Sequence, residues 1–302
     1  MRLARYRKRN GTHLGLVWDS KVLSLTDIGK GDPGRYGALA NAVDLVPLLS
    51  GQGRTTLEKI DRQIKDGGLA REWAAFSDPE KDVEWLPPVT SPEKIICIGL
   101  NYSDHAAESK MEIPKEPVIF NKFNNALIGA GGPVLLPSNS LQVDYEAELA
   151  VVIGANAKRV SREESSRYVA GYTLMHDVSA RDWQFRTGQW MTGKTFDTFG
   201  PCGPHLVTPD EVPDPHNLDI RLTLNGQVMQ NSNTSKLIFD IPTLISYLSH
   251  ILTLKAGDII STGTPPGVGF ARRPQVFLKD GDFVEIFVEK VGLMQHRCAA
   301  EQ

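Results

Sequence analysis

The segment Val143-Asp-Tyr-Glu-Ala-Glu-Leu-Ala-Val-Val-Ile-Gly154 constrains this chain more than any other. Its apolar run predicts a strand, and strand side chains alternate between two faces. One face carries Val143, Tyr145, Ala147, Leu149 and Val151. The other carries Asp144, Glu146 and Glu148, then Ala150 and Val152. Three acids therefore point the same way, next to residues that a core will bury. Neighbouring carboxylates repel, and burying them unpaired is costly. A hard dication resolves the conflict, because Mg²⁺ and Mn²⁺ prefer oxygen ligands. Taken alone, the segment reads equally well as a half-exposed strand with a solvated polar face.

A second acid adds weight to the metal reading. Asp177 stands at the end of the β-like run Gly171-Tyr-Thr-Leu174, where it completes a facial set of carboxylates or else caps a helix beginning near Ser179. His105 and Glu108 are three apart after the strand Ile95–Ile98. On a short helix begun at Ser103 or Asp104 they share a face, as a general base and its orienter or as an incidental surface pair. Lys194 lies in the turn-rich Trp190-Met-Thr-Gly-Lys-Thr-Phe-Asp197. The loop Ser261-Thr-Gly-Thr-Pro-Pro-Gly-Val-Gly269 offers hydroxyls and backbone N–H groups to an anion, or is a structural turn. Gly193-Lys-Thr195 lacks the upstream glycine of a phosphate-binding loop. The loop Ser261–Gly269 holds no Gly-x-Gly-x-x-Gly, and the chain has no Gly-x-Ser-x-Gly and no His-Glu-x-x-His.

At 302 residues the chain has room for one large domain or a large and a small one. A net charge of −3 without a basic stripe gives no support to a nucleic-acid partner. No run reaches the roughly 18 apolar residues of a membrane span. Three cysteines without paired spacing argue against a disulfide framework and favour a reduced, cytoplasmic setting; the basic start Met1–Asn10 leaves mitochondrial import open. Residues 1–75 read as a small N-terminal α+β domain, with helices near Tyr36–Leu49 and Thr55–Lys65. Residues 76–93 read as a proline-rich linker and 94–302 as the catalytic domain. That last region is predicted to be β-dominated, with helices at Arg162–Val169 and Ile241–Leu252. Strict β–α alternation is missing, so the fold class is α+β rather than a doubly wound sheet.

The order of these elements is more specific than any one of them. Gly99-Leu-Asn-Tyr…His105-x-x-Glu108, Glu146-x-Glu148, Asp177…Ala180-Arg-Asp-x-x-Gln184, Lys194-x-Phe196 and Thr262-Gly-Thr-Pro-x-Gly-Val-Gly269 together closely resemble the fumarylacetoacetate hydrolase superfamily. The likeness runs from Lys94 to the C-terminus. It is nearest to the branch called fumarylacetoacetate hydrolase domain-containing protein 2, through Asp182-Trp-Gln184, Gly193–Phe199 and Pro265–Gly269. The resemblance implies a mixed β-roll catalytic domain, usually a homodimer. It implies Glu146, Glu148 and Asp177 as ligands of Mg²⁺ or Mn²⁺. It implies His105 and Glu108 as a dyad on a lid, and Lys194 as a third catalytic group. Gln184, Thr264 and Arg181 fall on the substrate-binding side. Asn101 stands where fumarylacetoacetases place a further aspartate ligand, which speaks against fumarylacetoacetate itself.

The implied substrate is a small keto acid. The leading expectation is a hydrolase that cleaves a carbon–carbon bond in an acylpyruvate-type 2,4-diketo acid. An oxaloacetate keto–enol tautomerase or decarboxylase is the alternative, and a non-catalytic metal- or keto-acid-binding protein is the alternative of another class.

Overall fold

The computed structural model describes residues 1–8, 11–68, 71–104 and 113–301. Short strands dominate, as expected for an α+β chain. Among the described residues, twelve strands form one sheet. Its main path runs Ser77–Pro79, Lys21–Ser24, Gly11–Trp18, Arg2–Lys8, Gly200–Val207, Val169–His176, Ala147–Ile153, Ile259–Ser261, Ile95–Gly99 and Val118–Lys122. Glu84–Leu86 adds to Arg2–Lys8, and Leu127–Gly129 adds to Gly200–Val207. A second sheet of five strands runs Gln227–Asn233, Asp219–Leu224, Phe283–Val288, Gly292–Ala300 and Val134–Leu136. No helix among the described residues is long and apolar enough to cross a membrane.

The basic start is a strand, paired with Gly200–Val207 on one side and Gly11–Trp18 on the other. One sheet thus passes from the N-terminal strands into those of the C-terminal region. Two pieces of the proline-rich 76–93 stretch, Ser77–Pro79 and Glu84–Leu86, are short strands in it.

The acid-bearing segment departs from a single strand. It forms Val143–Asp144, which pairs with Ser179–Ala180, and then Ala147–Ile153. The alternation survives the break. Val143, Tyr145, Ala147, Leu149 and Val151 pack into a core shared with Leu222, Ile286 and Val288 of the second sheet. Ala150 and Val152 pack the other way, with Leu3, Leu16 and Leu206. The strand is buried on both faces, so a solvated polar face is ruled out for Glu148.

One helix expected in the catalytic domain is corrected. Arg162–Val169 is not a helix: only Ser165–Tyr168 makes a 3₁₀ turn, and β-branched Val169 already starts a strand. Gly200–Val207 is a central strand despite Pro201 and Pro204. Leu174 pairs with Gly203 and Tyr172 with Val207, so Pro204 falls in the irregular stretch between paired positions. There its missing N–H breaks no ladder bond. The helix Ile241–Ile251 forms as its sequence suggests. Asp240 accepts from Thr243 N at its start, and Pro242 occupies the first turn.

Candidate metal centre and active-site cavity

Four chain ends meet at one place because of the sheet order. Ile259–Ser261 runs parallel to Ile95–Gly99, so the loops that follow both leave on the same side. Ala147–Ile153 runs antiparallel to Ile259–Ser261 and to Val169–His176, so its beginning lies on that side too. Ala147 pairs with His176, which sets Asp177 beside Glu146; Asp177 N donates to Glu146 O at 3.0 Å. Ala150 pairs with Ser261, which sets Glu148 against the glycine-rich loop. Gly263 there has φ +102°, and a Cβ on it would stand 2.8 Å from that of Asn101, so only glycine closes this turn.

The result is a buried set of carboxylates. One oxygen each from Glu146, Glu148 and Asp177 lies within 4.8 Å of the others. Around them stand three cations. Arg181 Nη2 donates to Glu146 at 2.6 Å, and its Nε donates to Asp144 at 2.8 Å. Lys194 Nζ bridges Glu146 (2.7 Å) and Asp177 (2.9 Å). Lys122 Nζ lies 2.7 Å from Asp177 Oδ1 but aims its hydrogens at the carbonyls of Val178, Lys194 and Phe199. Asp177 Oδ1 therefore accepts no hydrogen bond.

The charges do not balance. Asp144, Glu146, Glu148 and Asp177 face Arg181, Lys194 and Lys122. Glu148 is the acid without a cation among the described residues; Ser261 Oγ and Gly263 N donate to its Oε2. Burial, then the charges of Asp177 and Glu146, push its carboxyl well above the usual range. Burial alone would raise Glu146 as well, but Lys194 and Arg181 pull it down to about 2. Lys194 goes the other way: burial disfavours its charge, yet Asp177 and Glu146 raise it above the ordinary lysine value, so it stays an ammonium. With all four acids ionised the site is thus one positive charge short of neutral. Its donors are all oxygens, and one of those oxygens lacks a hydrogen bond. A hard dication fits these residues.

Glu146, Glu148, Arg181 and Lys194 floor a cavity of about 520 Å³. Its walls are Ile98, Phe120, Phe185, Trp190, Val268 and Phe270, and Arg273 also lines it. Trp190 packs on Gly99, where a Cβ would come within 2.3 Å of its ring. Gln184 Oε1 accepts from Arg181 Nη1 at 2.9 Å. Arginine only donates, so this bond fixes the amide oxygen toward Arg181 and leaves the Gln184 NH₂ for a ligand.

Thr264 also lines the cavity, but its hydroxyl is engaged. It donates to Ala147 O and accepts from Gln230 Nε2, both at 2.9 Å. Asn101 is engaged too: it donates to Phe239 O and Thr262 O and accepts from Phe239 N, clamping the two loops together. Asp177 caps no helix. The turn Arg181–Gln184 begins after Ala180, which makes no side-chain cap. Asp144 shares the carboxylate face but binds Arg181 and the N–H groups of Gly269 and Phe270. His105 and Glu108 lie outside the described residues.

Two contributors escaped the sequence reading: Lys122 and Gln230. Alternation along Val118-Ile-Phe-Asn-Lys122 puts Lys122 on the same face as buried Phe120, a signal that was present. Gln230 carries no comparable signal.

Residues 94–299 match the family described as fumarylacetoacetate (FAA) hydrolase C-terminal, about two thirds of the chain. The chain belongs to the fumarylacetoacetate hydrolase family. Among curated relatives, it is 43% identical over 298 residues to the Homo sapiens protein named oxaloacetate tautomerase FAHD2A, mitochondrial, covering 97% of this chain and 90% of that one. It is 51% identical over 258 residues to oxaloacetate tautomerase fahd2, mitochondrial, of Xenopus laevis, covering 85% and 80%. Among solved structures, the maleylpyruvate hydrolase of Sphingobium sp. SYK-6, in complex with manganese (II) ion and pyruvate, aligns over 100% of both chains with TM-score 0.78 and 32% identity. The α+β fold of the fumarylacetoacetate hydrolase family and its enzymatic character are therefore those of this chain. So is an acidic triad suited to a metal ion.

Proposed function

We propose that this family member is a divalent-metal-dependent oxaloacetate keto–enol tautomerase, using Mg²⁺ or Mn²⁺ held by Glu146, Glu148 and Asp177. The likeness to proteins named oxaloacetate tautomerase along almost the whole chain carries the reading. On that support the tautomerase is put forward ahead of the acylpyruvate hydrolase expected from the motif order.

Tautomerisation needs little: one proton leaves C3 and one arrives on the C2 oxygen, with no bond made to water. When bound, a dication would supply Lewis-acid polarisation of the keto oxygen. Lys194 has three N–H donors, two of them engaged by Glu146 and Asp177. The third is free for the oxygen that gains negative charge. The Gln184 NH₂ binds a substrate oxygen, with Arg181 holding the amide in register. Thr264 contributes its hydroxyl only by rotating away from Ala147 O. In this reading His105, oriented by Glu108, carries the C3 proton. The apolar wall excludes water, which strengthens each of these polar contacts.

The hydrolase stays as a second reading because the maleylpyruvate hydrolase shares this fold end to end. A homodimer belongs to the same proposal. The names of the relatives put a mitochondrial compartment on an equal footing with the cytoplasmic one.

The test uses chelator-stripped protein with Mg²⁺ or Mn²⁺ restored. Enol-oxaloacetate and an acylpyruvate are offered in parallel, and enol absorbance and pyruvate release are followed. Metal-dependent loss of enol absorbance without pyruvate is the expected result. Pyruvate from the acylpyruvate would replace the tautomerase with the hydrolase, and pyruvate from oxaloacetate would replace it with a decarboxylase.

A further inference from the structure

Three cations line the cavity among the described residues: Arg181, Lys194 and Arg273. The first two are buried and locked to carboxylates. Arg273 differs. Its guanidinium has no acidic partner among the described residues, and its Nη1 donates only to backbone oxygens of its own loop, Arg272 O at 2.8 Å and Phe270 O at 3.3 Å. Most of its five donors remain open.

The loop that carries it is anchored to the metal centre. Asp144 accepts from Gly269 N (2.7 Å) and Phe270 N (3.0 Å) while also binding Arg181. Arg272 ties the loop down further through Gly267 O and Met229 O. Arg273 is thus an uncommitted positive group on an anchored loop, across an apolar wall from the carboxylates.

We infer that Arg273 selects dicarboxylic 2-keto acids by pairing with the carboxylate remote from the keto group. The argument rests on the keto-acid reading of this cavity. Against Phe185, Val268 and Phe270 a remote carboxylate would lie unpaired. Arg273 is the one described cation on the wall that can meet it with charge-assisted hydrogen bonds.

Two ligands matched in length isolate this contact: 2-oxoglutarate and 2-oxopentanoate share the keto-acid head and differ in the remote carboxylate. Their binding to Mn²⁺-loaded protein is measured by calorimetry, alongside oxaloacetate tautomerase kinetics. The wild type is expected to prefer 2-oxoglutarate by about tenfold or more. Arg273→Gln should erase that preference by weakening 2-oxoglutarate alone, and Arg273→Lys should restore part of it. For oxaloacetate, Arg273→Gln should raise KM with kcat held within about twofold. A wild type that binds both acids alike overturns the inference, as does a preference that survives in Arg273→Gln or a fall in affinity common to both acids. If the wild type prefers the dicarboxylate but tautomerises nothing, Arg273 keeps its role and the proposed reaction falls.

Discussion

Lys194 Nζ sits 2.7 Å from Glu146 Oε2, on a carboxylate that is also a candidate metal ligand. The ammonium and a dication therefore share the same oxygens, and their like charges oppose. Lys194→Met should bind Mn²⁺ more tightly, by about tenfold for a repulsion of roughly 1.4 kcal/mol, while losing turnover. Calorimetric titration with Mn²⁺ reads the first effect and an enol-oxaloacetate assay the second. Weaker Mn²⁺ binding in this variant would mean that Lys194 chiefly holds the ligands in place.

Glu148 links metal binding to pH. Its carboxyl is held well above the usual range by burial and by Asp177 and Glu146. Metal uptake must then displace a proton, so Mn²⁺ affinity should climb as pH rises above the ordinary carboxylate range. Stability of the metal-free protein runs oppositely. A raised acid binds more protons folded than unfolded, so its contribution is complete below the unfolded value near 4.5 and is lost as pH rises through the folded one. Repeating the Mn²⁺ titration in buffers of different ionisation enthalpy counts the released proton. Glu148→Ala should abolish both metal binding and turnover.

Asp144 is expected to act through the fold. Asp144→Ala strips Arg181 of one partner and frees Gly269 and Phe270 N–H, with Glu146 and Gln184 still holding the guanidinium. A loss of about 3 kcal/mol, at the low end for a broken buried pair, should appear as a lower denaturation midpoint. An unchanged midpoint would show that the loop holds without this anchor.

His205 gives a test away from the site. Burial, with Arg2 adding to it, lowers its imidazole to about 3, and neither ring nitrogen has a hydrogen bond. Glu80 approaches no nearer than 4.0 Å, and Trp85 meets the ring edge-on. The unfolded chain therefore binds a proton here that the folded one refuses. Stability is complete above pH 6.5 and falls toward pH 3 by up to about 1.4 kcal/mol per unit for this one group. His205→Phe keeps the edge-on contact and should flatten the fall in Tm between pH 7 and 4.5. A slope identical to wild type would assign the acid sensitivity to other groups, His296 among them.

His105→Ala, though outside the described residues, completes the set. It should retain Mn²⁺ affinity within about twofold and lose at least 10²-fold in turnover, the usual scale of a general base. Concurrent loss of metal would remove His105 from the proton-transfer role.

The carboxylate face was legible because alternation is a local rule: Glu146 and Glu148 share a face whether or not the strand is broken at Tyr145. Asp177 was legible from its place at the end of an apolar run. Sheet order was not, since Arg2–Lys8 meets Gly200–Val207 across just over 200 residues and no local pattern encodes that pairing. Gln230 was hidden likewise: its bonds to Ala147 N, Thr264 and Pro265 O depend on where the second sheet lands. The Gly200–Val207 strand was masked by Pro201, which pairs with Ile128, and by Pro204, which sits in an irregular stretch.

The strand Ala147–Ile153 has no outer side: one face belongs to the second sheet, the other to the strands near the N-terminus. Its back cannot be redesigned separately from its front. Exchanging the first 75 residues for a foreign module would repack Ala150 and Val152, and through them move Glu148. In this protein the leading segment and the carboxylate strand share one core.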